Sequence, residues 1–397
     1  MTVSTSIVSP PDFDRVIERR GTHCSKWDMM ERLHGVPAAT GIPMWVADMD
    51  FAPPAAVQER FEQIIRHGIY GYFGDDAAYL EAIRWWMAER HGWQVAKEAI
   101  FTTHGLVNGT GLCLEAFTRP GDAVVMFTPI YHAFARVIRA GGRTVTEVPL
   151  ATVEGRYVPD FDAAARALTG REKMLILCSP HNPGGRVWTE AELRGYADFA
   201  RAHDLILVSD EIHHDLVYPG HRHRVLETVV PDIADRLVTM TATTKTFNIA
   251  GIHTGNVIIH DPALRQRFAA VVTALGISAN AFGPQAVEAA YSPAGAAWLD
   301  ALLAYLDGNR RLFDAGIAAI PGVRSMPLEG TYLAWVDFSG TGMTAAEFGA
   351  RVKGAGIAAS TGFGAGDADF LRFNFATRRA LVEEAVGRLQ AAFADLQ

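Results

Sequence analysis

The sequence contains few cysteines, no excess of basic residues and no long apolar run. Its three cysteines, Cys24, Cys113 and Cys178, lie far apart without a CxxC pair, which argues against a disulfide framework or a cysteine-based zinc site. A net charge of -8, without a dense Lys/Arg cluster, argues against a nucleic-acid partner. No apolar run approaches the roughly 20 residues of a membrane helix, and the N-terminus lacks a signal-peptide core. The sequence therefore predicts a cytoplasmic protein with reduced thiols and no membrane association.

The middle of the chain alternates short apolar runs with helical patterns. The 397 residues are 49% hydrophobic and 20% charged, an ordinary composition that is long enough for two domains. The predicted strands are DAVVMFTP (122–129), VTEVPL (145–150), MLILCSP (174–180), LILVSDEI (205–212), RLVTMT (236–241) and NVIIH (256–260). Runs that are apolar on both faces and separated by helices predict an α/β fold, in which helices cover both sides of a mostly parallel sheet.

The chain is predicted to form a large domain and a smaller α+β domain. Residues 1–50 are interpreted as an N-terminal arm and part of the small domain, and residues 51–283 as the large domain. Residues 284–397 are interpreted as a linking helix followed by the rest of the small domain. One continuous helix, over roughly 284–319, is predicted to form the spine between the two domains.

Four polar or aromatic residues stand shortly after the apolar part of a predicted strand. They are Tyr131, Asn182, Asp210 and Lys245, and the carboxyl ends of parallel strands form the binding crevice of such sheets. Lys245 lies in TATTKTFNIAG (241–251), where no carboxylate is close in sequence to pair an ammonium. A lysine in a loop is most commonly solvated. The other interpretation is that its amine is used covalently, as in a Schiff base.

These residues together offer the groups that pyridoxal phosphate needs. The cofactor requires an amine for its aldehyde, a carboxylate for its ring nitrogen, a donor for its phenolic oxygen, a stacking ring, and a helix N-terminus for its phosphate. We assign these roles, in that order, to Lys245, Asp210, Asn182, Tyr131 and the backbone amides of Gly105 and Leu106. Taken singly, Asp210 is equally consistent with a helix cap, Asn182 with a turn and Tyr131 with the core.

Three sequence blocks carry a resemblance to a known family. SPHNPGGRVW (179–188), SDEIHHDL (209–216) and TATTKTFNIAG (241–251) resemble the signature blocks of fold-type I pyridoxal-phosphate enzymes of the class I/II aminotransferase superfamily. MWVADMDF (44–51), and a histidine in DEIH where ordinary aminotransferases usually have tyrosine, resemble the cystathionine β-lyase (MalY/PatB-like) branch. The resemblance implies a seven-stranded mostly parallel sheet, a smaller lobe made from both ends of the chain, and a homodimer with active sites at the interface.

The resemblance also implies roles for residues that the pattern alone leaves unassigned. Arg372 in LRFNF matches the arginine that holds the substrate α-carboxylate, and a guanidinium fork suits a carboxylate because it can donate two parallel hydrogen bonds. The remaining implied site residues are Asn182 and Ala47 for the substrate, His213, Thr241 and Thr244 for the cofactor, and Tyr72 for the cofactor of the other subunit.

The sequence departs from the family pattern at a few places. His253 stands where many aminotransferases have a phosphate-binding arginine, which predicts weaker cofactor binding. The block FGAGDADFLRFNFATRR (363–379) has fewer glycines than close lyase relatives, which affects the predicted shape of the substrate pocket. A histidine-rich stretch could converge on a loop through His214, His221 and His223. We predict no metal there, because no carboxylate or cysteine stands at ligand spacing.

The favoured function is a carbon–sulfur β-lyase that uses pyridoxal phosphate. An S-substituted cysteine or cystathionine would be held by Arg372 and Asn182, lose its Cα proton to Lys245, and be converted to a thiol, pyruvate and ammonia. The alternative in the same fold is an aminotransferase acting on an amino acid and a 2-oxo acid, and fold alone does not choose between them. A third hypothesis is a non-catalytic regulatory or binding protein on this scaffold.

Overall fold

The computed structural model describes residues 11–396, and these form a three-layer α/β body with smaller sheets beside it. Residues 1–10, part of the segment predicted to contain no signal peptide, lie outside the described residues, as does Gln397. The strands are β1 (Ile42–Pro43), β2 (Ile100–Thr103), β3 (Ala123–Thr128), β4 (Thr144–Pro149), β5 (Ala151–Val153), β6 (Arg156–Val158), β7 (Glu172–Cys178), β8 (Ile206–Asp210), β9 (Leu237–Thr241), β10 (Gly255–Ile258), β11 (Arg324–Ser325), β12 (Leu333–Asp337), β13 (Ile357–Ala358) and β14 (Phe370–Asn374).

Helices connect and cover these strands. They are α1 (Ser25–Asp28), α2 (Met30–His34), α3 (Ala55–His67), α4 (Ala77–His91), α5 (Leu106–Phe117), α6 (His132–Ala140), α7 (Phe161–Ala167), α8 (Glu190–Ala202), α9 (Leu226–Val229), α10 (Thr243–Thr246), α11 (Pro262–Ala274), α12 (Gly283–Ala290), α13 (Pro293–Ala318), α14 (Ala345–Gly354) and α15 (Arg379–Ala392). Helix α8 begins with a capping box between Thr189 and Glu192. None of the helices in residues 11–396 combines the length and the apolarity that a membrane span needs.

The central sheet has seven strands in the order β2-β10-β9-β8-β7-β3-β4. Neighbouring strands are parallel from β9 to β4, whereas β10 runs antiparallel to both β2 and β9. The predicted mostly parallel, seven-stranded sheet is therefore confirmed. Because β3, β7, β8 and β9 run in one direction, their carboxyl ends meet at one edge, where the predicted site residues follow.

Both faces of this sheet are buried, which explains why its strands are apolar throughout. Consecutive residues of β3 contact different cores, since Val125 packs in one cluster with Leu175 and Leu207, while Val124 packs in another with Met174. Alternate side chains of a strand point to opposite faces, so each face needs its own apolar set. The sheet is thereby held rigidly between two helical layers.

The two ends of the chain meet at two of the smaller sheets. Strand β1 pairs in parallel with β13, and β11, β12 and β14 form an antiparallel sheet. The backbone amide of Asn374 donates to the carbonyl of Met44 at 2.7 Å, so the segment after β1 lies against β14. Both ends of the chain thus contribute to the small lobe. The exact boundaries at residues 50/51 and 283/284 stay a proposal.

The predicted single helix over 284–319 is wrong in one respect. Two helices, α12 and α13, occupy this stretch and are separated at Tyr291 and Ser292. Ser292 has extended backbone angles and its hydroxyl accepts from the amide of Gly295, while Pro293 occupies the first helical turn. Serine at the N-cap and proline at N1 are helix-start signals that outweigh the continuous helical period.

Candidate active site

Nine of the predicted site residues line one cavity at the carboxyl edge of the sheet. The cavity volume is about 560 Å³, and these residues are Ala47, Gly105, Leu106, Tyr131, Asn182, Asp210, His213, Thr244 and Lys245. Thr241 ends β9 and is buried three positions before Thr244. Arg372 is linked to the cavity through Asn182. Tyr72 lies elsewhere on the surface.

Lys245 points its amine toward the arm of the chain rather than toward an acid. It lies in the short helix α10, and its Nζ donates to the carbonyl of Ala47 at 2.6 Å, a carbonyl that also accepts from the hydroxyl of Tyr332 at 2.9 Å. Burial lowers the pKa of the Lys245 amine to about 8, although Asp48 raises it. A substantial fraction of this lysine is therefore neutral near pH 8, which is the state that nucleophilic attack and proton abstraction require.

Asp210 ends β8 and places a buried carboxyl group in the same cavity. Its Oδ1 accepts from the backbone amide of Ile212 at 3.1 Å. The pKa of the Asp210 carboxyl is raised to about 7, first by burial and to a lesser extent by Glu211, against the lowering effects of the Ile212 amide and Lys245. A cationic partner stabilises the ionised form of a buried carboxyl group with a raised pKa, because a nearby opposite charge lowers that pKa again.

One end of the cavity is suited to an anion. Helix α5 begins there without a side-chain cap, so the first amides of its first turn have no acceptor within the helix. Its N-cap residue, Gly105, has a φ of 84°, a conformation that favours glycine. The lining of the cavity also includes His104 and His253. The structure thus provides backbone amides at this end and two imidazoles in the same cavity.

Arg372 is held beneath the cavity by fixed acceptors. Its Nη1 donates to Oδ1 of Asn182 at 2.9 Å, and its Nη2 donates to the carbonyl of Trp45 at 2.7 Å. The hydroxyl of Ser360 donates to the same carbonyl at 2.7 Å, and the guanidinium lies 4.8 Å from the ring centroid of Phe363. Burial lowers the pKa of Arg372 to about 10, which leaves the guanidinium charged at neutral pH. No carboxylate pairs with it among the described residues.

An ion-pair cluster fixes the arm that presents the Ala47 carbonyl. Asp50 accepts from Arg19 at 2.7 Å, from Lys26 at 2.9 Å and from the indole of Trp27 at 2.9 Å. Lys26 is fully buried, so its ammonium depends on this carboxylate. The segment around Ala47 is therefore positioned by charged contacts from a different part of the arm.

A buried histidine–carboxylate cluster lies behind α10. The carboxylate of Asp215 accepts from Trp86 at 3.0 Å and from the hydroxyl of Thr246 at 2.8 Å, and Nε2 of His91 lies 2.8 Å from it. His214 adds an imidazole at 3.2 Å. Candidate ligand atoms of His91, His214 and Asp215 lie within 4.8 Å of one another, and Nε2 of His214 has no hydrogen-bond partner among the described residues. Through its bond to Thr246, the residue after Lys245, the cluster connects α10 to the core.

The predicted histidine loop is only partly formed. The rings of His214 and His223 lie 6.3 Å apart, and His223 contacts Glu211 at 2.8 Å. His221 is exposed and only its backbone amide bonds nearby, to the carbonyl of Tyr218. No sequence pattern indicates a role for His91, because this residue lies more than 120 positions from Asp215 and only the tertiary fold brings the two together.

Several buried polar atoms of the site have no hydrogen-bond partner among the described residues. They include Oγ1 of Thr241, Nδ1 of His213 and Nε of Arg372. Burial lowers the pKa of His213 well below its ordinary value, so its imidazole is neutral. Buried polar groups without partners are costly, and a polar ligand that meets them recovers that free energy. These atoms, the amine of Lys245, the carboxyl of Asp210 and the amides of α5 fit pyridoxal phosphate together with an amino acid.

Some residues of the site escaped the sequence interpretation. Trp45 and Ser360 contact Arg372, and Tyr332 shares the Ala47 carbonyl with Lys245. Trp45 lies inside the block MWVADMDF, and the family resemblance of this block is the sequence signal that could have identified Trp45 as a site residue. Ser360 and Tyr332 carry no such signal, because they reach the site through contacts between distant segments: Ser360 forms a β-bridge with Arg372, and Tyr332 donates to the Ala47 carbonyl.

Tyr72 is separate from this cavity within one chain. It is fully exposed, at 106% of its reference area, and lines a different cavity with Ile69 and Phe73. Its predicted contact with the cofactor therefore depends on a second subunit and stays a prediction.

Comparisons with known proteins agree with this geometry. A model of the family "Aminotransferase class I and II" matches residues 44–389. Cystathionine beta-lyase PatB of Bacillus subtilis (strain 168) is 38% identical over 387 residues, covering 96% of this chain and 99% of that protein. Protein MalY of Escherichia coli (strain K12) is 31% identical over 330 residues, covering 82% and 83%. The structure of cystalysin from Treponema denticola, which contains pyridoxal 5'-phosphate, has a TM-score of 0.92 at 34% identity and covers 98% of this chain and 100% of its own.

Proposed function

The chain belongs to the class I and II aminotransferase family, and we propose that it is a pyridoxal-phosphate-dependent carbon–sulfur β-lyase acting on cystathionine or another S-substituted cysteine. The products are a thiol, pyruvate and ammonia. The observation that carries the proposal is the likeness to a cystathionine β-lyase along nearly the whole chain, combined with a cavity that holds Lys245 and Asp210 together. The predicted cofactor and enzyme class are confirmed by these relatives.

The residues that would hold the cofactor lie on different walls of the cavity. Lys245 would attach its aldehyde carbon, Asp210 would face the ring nitrogen, and Asn182 the phenolic oxygen. The first amides of α5 and the hydroxyl of Thr244 would bind the phosphate. Pyridoxal phosphate, when bound, supplies a cationic ring that accepts electron density from the substrate carbon. The raised pKa of Asp210, caused first by burial, makes this carboxyl group suited to such a cation.

Arg372 and Asn182 would bind the substrate α-carboxylate. The guanidinium is already oriented by Asn182 and by the Trp45 carbonyl, so little conformational freedom is lost when the carboxylate arrives. Its unpartnered Nε keeps one donor available in the buried site. A fixed carboxylate in turn fixes the position of the Cα proton relative to Lys245.

Lys245 would move the proton at Cα. Because burial lowers its pKa to about 8, the amine is neutral in about half of the molecules near pH 8, and a neutral amine can accept a proton. The carbonyl of Ala47 and the hydroxyl of Tyr332 orient this part of the site. The C–S bond then breaks with both electrons on sulfur, and water supplies the oxygen of pyruvate, so that one thiol and one ammonia are formed per substrate.

Product analysis tests the function. When S-ethyl-L-cysteine is supplied with the holoenzyme and no 2-oxo acid, we expect ethanethiol, pyruvate and ammonia to accumulate in equal amounts over many turnovers. Turnover that depends on an added 2-oxo acid would contradict the lyase. The second candidate, an aminotransferase, is kept because the family description itself names that activity and the same cavity serves both reactions.

We also propose that the chain forms a homodimer through an exposed apolar patch. Ile65, Ile69, Tyr70 and Tyr72 lie close together in sequence at the end of α3 and in the loop that follows. Ile69 is 70% exposed and Tyr72 fully exposed, an arrangement that is costly on a protein without a partner. This patch, which we call the Ile65–Tyr72 patch, includes the tyrosine that the family resemblance places near the cofactor of the other subunit.

Light scattering with a patch variant tests the homodimer. The wild type is expected to have the mass of two chains at micromolar concentration. Ile65→Glu combined with Ile69→Glu is expected to give monomers and to lose most of the lyase activity, because Tyr72 no longer reaches a second subunit. Val153→Glu, at an exposed valine of β5 outside the patch, is the matched control and should stay dimeric. A monomeric wild type with full activity would contradict the proposal.

We propose a cytoplasmic location for this enzyme. Cys24, Cys113 and Cys178 are free in the structure, and burial raises the pKa of Cys113 and Cys178 far above the ordinary value. Thiols of this kind persist in reducing compartments.

A further inference from the structure

Arg136 lies between the active-site cavity and a second cavity beside it. The second cavity has a volume of about 430 Å³, within the range of small-molecule pockets. Arg136 and Tyr131 line both cavities, and Phe363, whose ring lies under the Arg372 guanidinium, lines the second. Arg136 is on the second turn of α6, one turn after Tyr131. The two cavities are therefore neighbours that share one basic residue at their junction.

The charge of the second cavity comes from Arg136. The other arginine that lines it, Arg139, donates to Glu147 at 3.0 Å, and the second oxygen of Glu147 accepts from the amide of Ala365 at 3.2 Å. Burial, together with the charges of Arg372 and Arg136, lowers the pKa of His132, so this histidine is neutral at pH 7. No acidic partner of Arg136 is found among residues 11–396. One uncompensated positive charge thus faces the space next to the substrate.

We infer that Arg136 binds an anionic group at the far end of the sulfur substituent, so that the enzyme prefers S-substituted cysteines whose leaving thiol carries a carboxylate. This inference rests on the proposed lyase function and specifies its substrate class. Arg372 would hold the α-carboxylate next to Phe363, and Phe363 itself lines the second cavity. Tyr131 and Arg136 line both cavities. The substituent on sulfur can therefore extend into the second cavity, with Arg136 at the junction of the two.

The guanidinium suits this role for a physical reason. A carboxylate can accept two parallel hydrogen bonds from it, and such charge-assisted bonds are stronger than neutral ones. Because Arg136 is exposed and has no acidic partner, the binding free energy gained with a substrate carboxylate is not offset by the loss of an existing ion pair. The exposure also limits the effect, since exposed charge pairs are screened by water and salt. We therefore expect a preference of about tenfold rather than an absolute requirement, which corresponds to about 1.4 kcal/mol.

A pair of substrates of equal shape tests the inference. S-(2-carboxyethyl)-L-cysteine carries the distal carboxylate, and S-(2-carbamoylethyl)-L-cysteine replaces it with a neutral amide. In the wild type, kcat/KM is expected to be about tenfold higher for the carboxylate, and this ratio should fall as salt is added. Arg136→Gln is expected to lower kcat/KM about tenfold for the carboxylate substrate and to leave the carboxamide within twofold. Arg194→Gln, at an exposed arginine of α8 that lines neither cavity, is the matched control and should keep the wild-type ratio.

Results that overturn the inference about Arg136 can be distinguished from results that overturn the lyase function. Equal kcat/KM values for the two substrates in the wild type, with S-ethyl-L-cysteine still cleaved, would remove the role of Arg136 and leave the lyase intact. If none of the three substrates is cleaved, the lyase function itself is wrong. A third measurement is the dissociation constant of pyridoxal phosphate for Arg136→Gln. A large increase, with both substrates affected equally, would assign Arg136 to the cofactor phosphate and contradict the inference.

Discussion

Lys245→Ala is expected to remove β-elimination almost completely. The variant loses both the amine that attaches the cofactor and the group that moves the Cα proton, and a positioned acid–base group alone contributes about 10²–10⁴-fold. We expect pyruvate release from S-ethyl-L-cysteine to fall by at least roughly 10³-fold. The yellow colour of the covalently attached cofactor should disappear as well. Pyruvate assays and visible absorbance on the same preparation measure the two effects.

Two variants separate this effect from charge and from folding. Lys245→Arg keeps a positive charge next to Asp210 but offers no nucleophilic amine, because a guanidinium stays protonated. It should be as inactive as Lys245→Ala. Lys97→Ala changes an exposed lysine far from the cavity in sequence and should retain wild-type activity. An active Lys245→Arg enzyme would show that charge, and not the primary amine, is what the site requires.

Asp215→Ala is expected to destabilise the protein by about 3–5 kcal/mol, because removing one partner of a buried ion pair leaves the other uncompensated. The carboxylate is buried and accepts from Trp86 and Thr246, with His91 at 2.8 Å. Although burial raises it, the neighbouring His214 holds the pKa of Asp215 well below its ordinary value. Its loss would therefore leave several buried donors without an acceptor.

Guanidinium chloride unfolding, at fixed protein and cofactor concentration, measures this loss. Asp215→Asn keeps the side-chain shape and one acceptor oxygen, so its free energy of unfolding should fall by less. This variant replaces Asp215→Ala in the test if the alanine variant does not fold. Asp198→Ala, which removes an exposed partner of Arg201, is the matched control and should stay within about 0.5 kcal/mol of the wild type. Equal stability of Asp215→Ala and Asp198→Ala would show that the cluster behind α10 contributes little.

The cavity could be predicted from the sequence because its residues follow the strands of one sheet. Tyr131, Asn182, Asp210 and Lys245 each stand just after a recognisable apolar run, and parallel strands bring their carboxyl ends to one edge. The strand pattern also predicted a mostly parallel sheet, and the family resemblance implied that it has seven strands. In these cases a local pattern determines where a side chain lies, so one sequence is sufficient.

The remaining parts depend on contacts between distant segments. Arg372 lies on a strand, where a charged residue usually faces water, and only the family resemblance pointed to it. His91 reaches Asp215 from another helix, and the ion pairs of Arg19 and Lys26 fix the Ala47 carbonyl from within the arm. The break at Ser292 was missed because its capping signals are local and the helical period continues across them. None of these pairings has a periodic signature.

The most direct test of the lyase is the number of product molecules formed per active site without a 2-oxo acid. The holoenzyme is mixed with a large excess of S-ethyl-L-cysteine, and pyruvate and ethanethiol are counted against bound cofactor. A β-lyase regenerates its cofactor in each cycle, so we predict hundreds of each product per site, on the order of a typical kcat of about 10 per second sustained for a minute. One oxo-acid molecule per site, without free thiol and with no further reaction until a 2-oxo acid is added, would contradict the account and identify a transaminase.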